Sequence, residues 1–156
     1  MRAALVAALL LAPGCFVHVR ADGEPPQRPL RTWPRSAQAP APVGPYSQAV
    51  RVGDVVWLAG QVGLDPTTGA LVEGGVGPQT ERALANLRAV LEAAGMGLED
   101  VVEVQVFLAD LGDFSAMNAV YAAAMPTPPP ARTTVGVAAL PLGAAVEIRA
   151  VAARAR

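Results

Sequence analysis

A run of three prolines followed by alternating β-branched residues, at 128–141, constrains the fold of this chain most strongly. Proline fixes φ and lacks an N–H donor, so these residues end any preceding helix, and the spacing after them is that of a strand. In such a strand Arg132 and Thr134 share one face, beside Gly136, which leaves room next to them. Because a guanidinium matches a carboxylate bidentately, Arg132 is predicted to anchor a carboxylate, unless it only caps the strand end at the surface.

The residue types that the chain lacks exclude several kinds of catalysis. There is no lysine, and the one histidine, His18, and the one cysteine, Cys15, both precede residue 40. Schiff-base chemistry, Ser-His or Cys-His nucleophiles and His/Cys zinc sites all depend on those residues. The sequence also has no glycine-rich nucleotide motif. The composition therefore excludes these classes of site, and an enzyme of this composition would use arginine, acidic, tyrosine, hydroxyl and amide groups.

The charge of the globular part argues against a nucleic-acid partner. From residue 40 onward the sequence has seven arginines and eleven acidic residues, a net charge of −4. Affinity for nucleic acid depends largely on neutralising phosphates with basic side chains. We therefore predict no binding to nucleic acid.

Residues 1–15 are typical of a signal peptide. An apolar run of ten residues, 3–12, follows Arg2 and is too short to span a bilayer. The segment ending at Cys15 resembles a bacterial lipobox, which implies lipidation of Cys15 and a membrane tether. Cleavage after Ala21 and an uncleaved leader are the alternatives. The protein is predicted to be exported, to the periplasm or as a membrane-anchored lipoprotein, if the leader functions, and otherwise to be cytoplasmic.

The rest of the chain divides into a proline-rich segment, 16–40, predicted to be a disordered tether, and one domain, 41–156. The hydrophobic spacing predicts strands at 46–52, 55–62, 102–108, 133–139 and 146–152, and helices at 78–94 and 114–125. This ββαβαββ order predicts an α+β fold with both helices on one face of the sheet. The other face needs a cover, and self-association provides one.

Seven short motifs follow one another through residues 41–152. They lie at 44–48 (Gly-Pro-Tyr-Ser-Gln), 60–61 with 65–69, Gln79 with Asn86, 106–111 with 113–114, Asn118 with Tyr121, 130–135 (Pro-Ala-Arg-Thr-Thr-Val), and 140–141 with 147–148. In this order and spacing they resemble the RidA (YjgF-type) family of reactive-imine deaminases. The resemblance implies a chorismate-mutase-like fold and a homotrimer with sites between subunits. It also implies hydrolysis of 2-imino or 2-enamino acids to 2-keto acids and ammonia, with no metal and no cofactor.

The resemblance also assigns roles to individual residues. Arg132 matches the family's carboxylate-binding arginine, and Glu147 matches the acidic residue that holds or activates the attacking water. Tyr46 and Asn118 match substrate-binding residues. Strand alternation supports Glu147 independently, since it points away from its apolar neighbours. Each assignment has a structural alternative. Glu147 would be a solvated glutamate at a sheet edge, Tyr46 an aromatic residue packed at a strand start, and Asn118 an amide on a helix surface.

Two positions differ from the family pattern. Ala59 stands where the family has a serine, so one hydrogen-bonding group is missing. Thr134 stands where a cysteine is frequent, and its hydroxyl can still donate or accept a hydrogen bond to the substrate. The rival interpretation is a non-catalytic trimer that binds small carboxylates such as amino acids or keto acids. Such a protein needs Arg132 but has no need of Glu147.

Overall fold

The computed structural model describes residues 30–154. The predicted leader, with Cys15, and most of the predicted tether lie outside the described residues. The strands are β1 (Arg31–Thr32), β2 (Ala49–Val52), β3 (Val55–Leu58), β4 (Gln61–Val62), β5 (Val101–Leu108), β6 (Ala131–Gly136) and β7 (Val146–Ala153). The α-helices are α1 (Val76–Ala93) and α2 (Phe114–Ala124), and short 3-10 turns cover Leu98–Asp100, Leu111–Asp113 and Pro141–Gly143. The predicted α+β fold is confirmed.

The strands form one mixed sheet in the order β1-β2-β3-β7-β5-β6, with β4 also paired to β7. Every pairing is antiparallel except that of β5 with β6, which is parallel. A parallel pair needs a crossover connection, and α2 provides it between β5 and β6. This crossover brings α2 over the face of the sheet that carries the even-numbered residues of β6, Arg132 among them.

The core lies between that face and the two helices. α1 packs against β7, β4 and α2. Strand alternation supplies one buried row from the sheet, and the helices supply the opposing row. The buried residues include Val56, Leu58, Val104, Val106, Leu108, Val146 and Ile148 of the sheet and Leu84, Leu87, Val90, Leu91 and Met117 of the helices. The opposite face has no helix over it in the described residues, and it leaves Trp57 42% and Val135 40% exposed.

Several strands differ from the sequence prediction. The predicted strand 55–62 is divided into β3 and β4 by Ala59 and Gly60, where the pairing with β7 is interrupted. The Ala59 N–H donates instead to the Gln48 carbonyl at 2.9 Å. The predicted strand 46–52 begins only at Ala49, and the predicted strand 133–139 runs from Ala131 to Gly136.

The structure also moves the boundary of the domain, which the sequence predicts at residue 41. β1 pairs with the edge of β2, and Ala39 is buried in the core. The side-chain amide of Gln48 organises this segment: its nitrogen donates to the carbonyls of Ser36, Ala39 and Pro40 at 3.1, 3.3 and 2.8 Å. Residues 30–40 are therefore part of the domain, because one buried amide ties their backbone to β2.

Candidate active site

Arg132 lies on the helix-covered face of β6, where Val104 is its neighbour on β5. Its Nη2 donates to Oδ1 of Asn118 on α2 at 2.8 Å. Its guanidinium carbon lies 4.4 Å from the centre of the Tyr121 ring and 5.8 Å from that of Phe114. The structure thus brings together Arg132 and Asn118, two of the residues that the sequence predicts for the site.

The partners of Arg132 are all uncharged. Within residues 30–154 it forms no ion pair, and its one hydrogen bond within that range goes to an amide oxygen. Both aromatic contacts lie within the range of about 6 Å at which a cation is attracted to a ring face. The positive charge is therefore supported but not neutralised, which leaves it available to a carboxylate.

Thr134 follows on the same face of β6, as its spacing from Arg132 predicts. Its Oγ1 is buried and has no hydrogen-bond partner in the part of the chain that the structure describes. Gly136 comes next, and a Cβ there would lie 2.9 Å from the Leu111 side chain. The space beside Gly136 that the sequence predicts to be open is therefore occupied by Leu111.

Glu147 lies on the other face of the sheet. Val146 and Ile148 on either side of it are fully buried in the core, so alternation along β7 turns the glutamate outward, as predicted. It lines a cavity of about 430 Å³. The cavity walls are mostly apolar and include Tyr46, Ala59, Val62, Leu64, Pro141 and Leu142. Burial raises the pKa of the Glu147 carboxyl above its ordinary value.

Gly60 sits directly against the carboxyl group of Glu147. A Cβ built at this position would overlap Cδ and Oε1 of the glutamate, so any side chain would displace the carboxyl group. Ala59, which replaces the family's serine, also lines this cavity. The wall beside the glutamate is therefore formed by backbone and a methyl group.

Tyr46 completes the mouth of this cavity. Its side chain is 50% exposed, and its hydroxyl accepts a weak hydrogen bond from the Val43 N–H at 3.4 Å. β2 begins three residues after Tyr46, so the tyrosine lies ahead of the strand, and it lines the cavity. Tyr46 and Glu147 therefore lie together.

Two buried amides hold the backbone around this cavity. Oε1 of Gln79 accepts from the Ala145 N–H at 2.8 Å, two residues before Glu147. Nδ2 of Asn86 donates to the carbonyls of Val62 and Leu64 at 3.3 and 2.9 Å. Because a buried amide without a partner is costly, these contacts fix the positions of β4 and of the start of β7.

The predicted site residues thus form two groups on opposite faces of one sheet. Arg132, Asn118 and Thr134 belong to the helix face, and Tyr46 and Glu147 belong to the cavity. Across the sheet, β6 with Arg132 lies two strands from β7, a distance of roughly 10 Å. Along the strands, Arg132 is in register with Ala150, which lies roughly 10 Å from Glu147 on β7. No rotation of side chains joins the two groups, since the sheet lies between them.

Sequence reasoning placed Phe114, Tyr121 and Gly60 in the family motifs but assigned none of them a role in the site. The first two share one face of α2 with Asn118, because 114, 118 and 121 follow helical spacing, and that pattern was present in the sequence. Gly60 had no comparable signal, since its role depends on the approach of a distant strand. Within residues 30–154 there is no group of three or more His, Cys, Asp or Glu side chains placed to hold a metal. No helix in that range is long and apolar enough to cross a membrane.

Comparison with known proteins gives consistent matches. The family model described as Endoribonuclease L-PSP matches residues 36–154. A 2-iminobutanoate/2-iminopropanoate deaminase from Capra hircus is 49% identical over 75% of this chain and 85% of its own. The crystal structure of RidA from an Antarctic Psychrobacter has a TM-score of 0.77 at 46% identity, covering 79% of this chain and 99% of its own.

A further match is the crystal structure of Escherichia coli TdcF with bound serine. It has a TM-score of 0.75 at 34% identity and covers 80% of this chain and 99% of its own. The motifs, the mixed sheet with two helices and these similarities agree with one another. This chain belongs to the Endoribonuclease L-PSP family, the RidA/YjgF family that its motifs resemble.

Proposed function

We propose that this protein hydrolyses 2-imino and 2-enamino acids, such as 2-iminobutanoate and 2-iminopropanoate, to 2-keto acids and ammonia. Deaminases of that name are nearly half identical to this chain over three quarters of its length. The observation that carries the proposal is the state of Arg132, which within residues 30–154 is supported only by uncharged groups. A 2-imino acid carries the carboxylate that such a guanidinium binds best.

Glu147 supplies the second requirement, a base beside the reacting carbon. A protonated imine is already electrophilic, so catalysis needs a positioned water and an acceptor for its proton. The water oxygen bonds to the imine carbon while Glu147 takes one proton, which gives a carbinolamine. The glutamic acid then returns that proton to the amine, and the C–N bond breaks as the hydroxyl becomes the carbonyl. The hydroxyl proton passes to the Glu147 carboxylate and from there to the departing ammonia. The products are the keto acid and ammonium.

The raised pKa of Glu147 suits this role. A carboxylate in an apolar cavity is a stronger base than one in water, because burial penalises its charged form. The apolar walls also limit the water that reaches the imine, so the positioned water reacts in a partly desolvated site.

We propose that the complete site forms between subunits of a homotrimer. The sheet separates Arg132 from Glu147 within one chain, whereas a second copy placed against the helix-free face could bring its own Arg132 to the cavity. The exposed Trp57 and Val135 on that face support its burial against another subunit. Sedimentation equilibrium of residues 30–156 tests the assembly, and a stable monomer at micromolar concentration would contradict it.

Mixing two impaired variants tests whether the site is shared. Arg132→Ala and Glu147→Gln are unfolded together at equal amounts and refolded. If each site takes Arg132 from one subunit and Glu147 from its neighbour, about a quarter of the sites regain both residues. At substrate concentrations well below KM we expect the mixture to be more active than either variant refolded alone, by about a quarter of the wild-type activity. If the mixture forms trimers but is only as active as the average of the two variants, both residues belong to one subunit's site.

The activity itself is tested with a 2-imino acid generated by an amino-acid oxidase. Semicarbazide traps the remaining imine, and we expect the wild-type protein to lower the trapped amount. A non-catalytic binder of small carboxylates is the second candidate, favoured by the serine bound in the Escherichia coli relative. An unchanged amount of trapped imine, together with measurable binding of 2-oxobutanoate, would favour the binder. We do not propose ribonuclease activity, because residues 40–156 carry a net charge of −4 and no histidine.

We also propose that the leader exports the protein and that Cys15 carries the lipid that tethers it. The apolar run 3–12 followed by the one cysteine of the chain supports this. Intact-mass analysis of the protein purified from its native cells should give a chain that begins at an acylated Cys15. A mature chain that begins after Ala21, or an unmodified chain that begins at Met1, would contradict lipidation.

A further inference from the structure

The aromatic residues beneath Arg132 have no role in the reaction as described above. Phe114, Asn118 and Tyr121 lie on one face of α2, and all three contact the guanidinium group. Asn118 takes one of its five N–H donors, and the Tyr121 ring is the nearer of the two aromatic contacts. Together these residues hold the cation without supplying a negative charge.

Tyr121 is the residue of this group most firmly fixed by the fold. Its side chain is only 4% exposed and belongs to the hydrophobic core. The more distant Phe114 is 40% exposed, so it is free to move by comparison. A ring packed in the core cannot follow the guanidinium, and the guanidinium must therefore settle over the ring.

The surroundings of the Tyr121 hydroxyl differ from those of the ring. It is buried and has no hydrogen-bond partner among the described residues. Burial raises its pKa, so the ring remains neutral at physiological pH and keeps the electron-rich face that attracts a cation. If the ring is the functional part, phenylalanine should replace tyrosine without loss.

We propose that Tyr121 is a positioning residue for Arg132: its buried ring fixes the guanidinium while leaving the charge free to bind the substrate carboxylate. A carboxylate in place of the ring would hold the arginine equally well but would neutralise it and compete with the substrate. This inference rests on the proposed function, since the role of Arg132 as the carboxylate anchor belongs to that proposal.

Substitutions that separate the ring from the hydroxyl test the inference. Tyr121→Phe keeps the ring, and Tyr121→Met fills the space with a flexible apolar chain that has no ring. In the imine assay we expect Tyr121→Met to raise KM about fivefold to tenfold, with kcat within about twofold of wild type. We expect Tyr121→Phe to leave KM within about twofold of wild type.

Binding of 2-oxobutanoate, measured by calorimetry, gives the same comparison without turnover. We expect its Kd to rise in Tyr121→Met and to stay unchanged in Tyr121→Phe. This measurement separates the deaminase proposal from the inference about Tyr121. If the wild-type protein binds the keto acid but does not hydrolyse imines, the deaminase proposal is contradicted. The effect of the Tyr121 ring on binding can still be measured in that case. If Arg132→Ala binds the keto acid as well as wild type does, both the anchor and the inference fail.

The remaining outcomes are also decisive. Equal losses in Tyr121→Phe and Tyr121→Met would overturn the role of the ring in favour of the hydroxyl. A normal KM in a folded Tyr121→Met variant, or a loss confined to kcat, would overturn positioning altogether. If thermal denaturation shows that Tyr121→Met does not fold, Tyr121→Leu takes its place, since it also removes the ring. It should raise KM by about fivefold to tenfold as well, and an unchanged KM would contradict the inference.

Discussion

Around Arg132 the fold supplies an amide and two aromatic rings, whereas around Glu147 it supplies an apolar cavity and a glycine. The arginine is kept charged by groups that attract a cation without cancelling it. The glutamate is partly deprived of water, and no described group compensates for this. The first environment suits a binding residue, whose charge must always be present. The second suits a base, whose proton affinity must be high.

The two environments also lie on opposite faces of one sheet. The helix-covered face of the sheet packs to form the core. Because β6 is the last strand of the sheet, its even-numbered residues lie at the edge of this core, and Arg132 reaches α2 there. Glu147 lies on a central strand and points away from that core. In the proposed assembly a single chain therefore holds two halves of a site, and the substitutions below test each half separately.

The largest effect should come from Glu147→Gln. It keeps the shape of the side chain but removes the base, so kcat should fall by about a hundredfold while KM changes little. Steady-state kinetics in the imine assay measure both values, with the exposed Glu92→Gln as the control. In wild type the acid limb of the kcat profile should lie above pH 4.5, the ordinary value for a glutamate, because burial raises the pKa of Glu147. A variant with unchanged kcat would remove Glu147 from the reaction.

A smaller effect, on binding, should follow from Arg132→Ala. Loss of a charge-assisted contact to the carboxylate should lower kcat/KM roughly tenfold or more, mainly through KM. Arg132→Lys should recover little, because a point charge does not reproduce the planar fork. The exposed Arg88→Ala is the matched control for the loss of one positive charge. Equal kcat/KM in Arg132→Ala and wild type would move the carboxylate site elsewhere.

Period-two alternation predicted correctly that Arg132 pairs with Thr134 on one face and that Glu147 turns away from Val146 and Ile148. It did not predict that the two faces are opposite, because alternation relates residues within a strand and carries no information on how two strands are oriented. β1 was also missed, since two residues without an apolar pattern give no strand signal.

Gly60→Ala tests how closely the cavity wall controls Glu147. A Cβ there would occupy the position of the carboxyl group, so the glutamate must shift, and kcat should fall about tenfold because a base displaced by a fraction of an ångström loses its alignment with the water. Gly77→Ala is the matched control: a Cβ at Gly77, in the first turn of α1, meets nothing within 4 Å. It should keep full activity. Normal kcat in Gly60→Ala would mean that the carboxyl group works equally well from another position.

The smallest expected effect is that of Glu147→Gln on the stability of the fold. It shows whether the Glu147 carboxylate is desolvated or well solvated. The pKa of Glu147 is raised in the folded protein, so the unfolded chain loses its proton first as the pH rises. The ionised group therefore disfavours folding, and this penalty is absent below the unfolded pKa and complete above the folded one. Glu147→Gln should then raise the midpoint of thermal unfolding at pH 7 and have no such effect near pH 4.

The comparison needs a variant that removes a charge without changing the cavity, and the exposed Glu92→Gln serves for this. Calorimetric unfolding of both variants and wild type at the two pH values gives the required difference. A larger gain for Glu147→Gln than for Glu92→Gln at pH 7 would show that the cavity holds its carboxylate at a cost in stability, as a catalytic base in an apolar site requires. Equal shifts for the two variants would mean that Glu147 is as well solvated as a surface residue. The contrast with the supported arginine would then disappear, and a binding site that relies on Arg132 alone would be the better description.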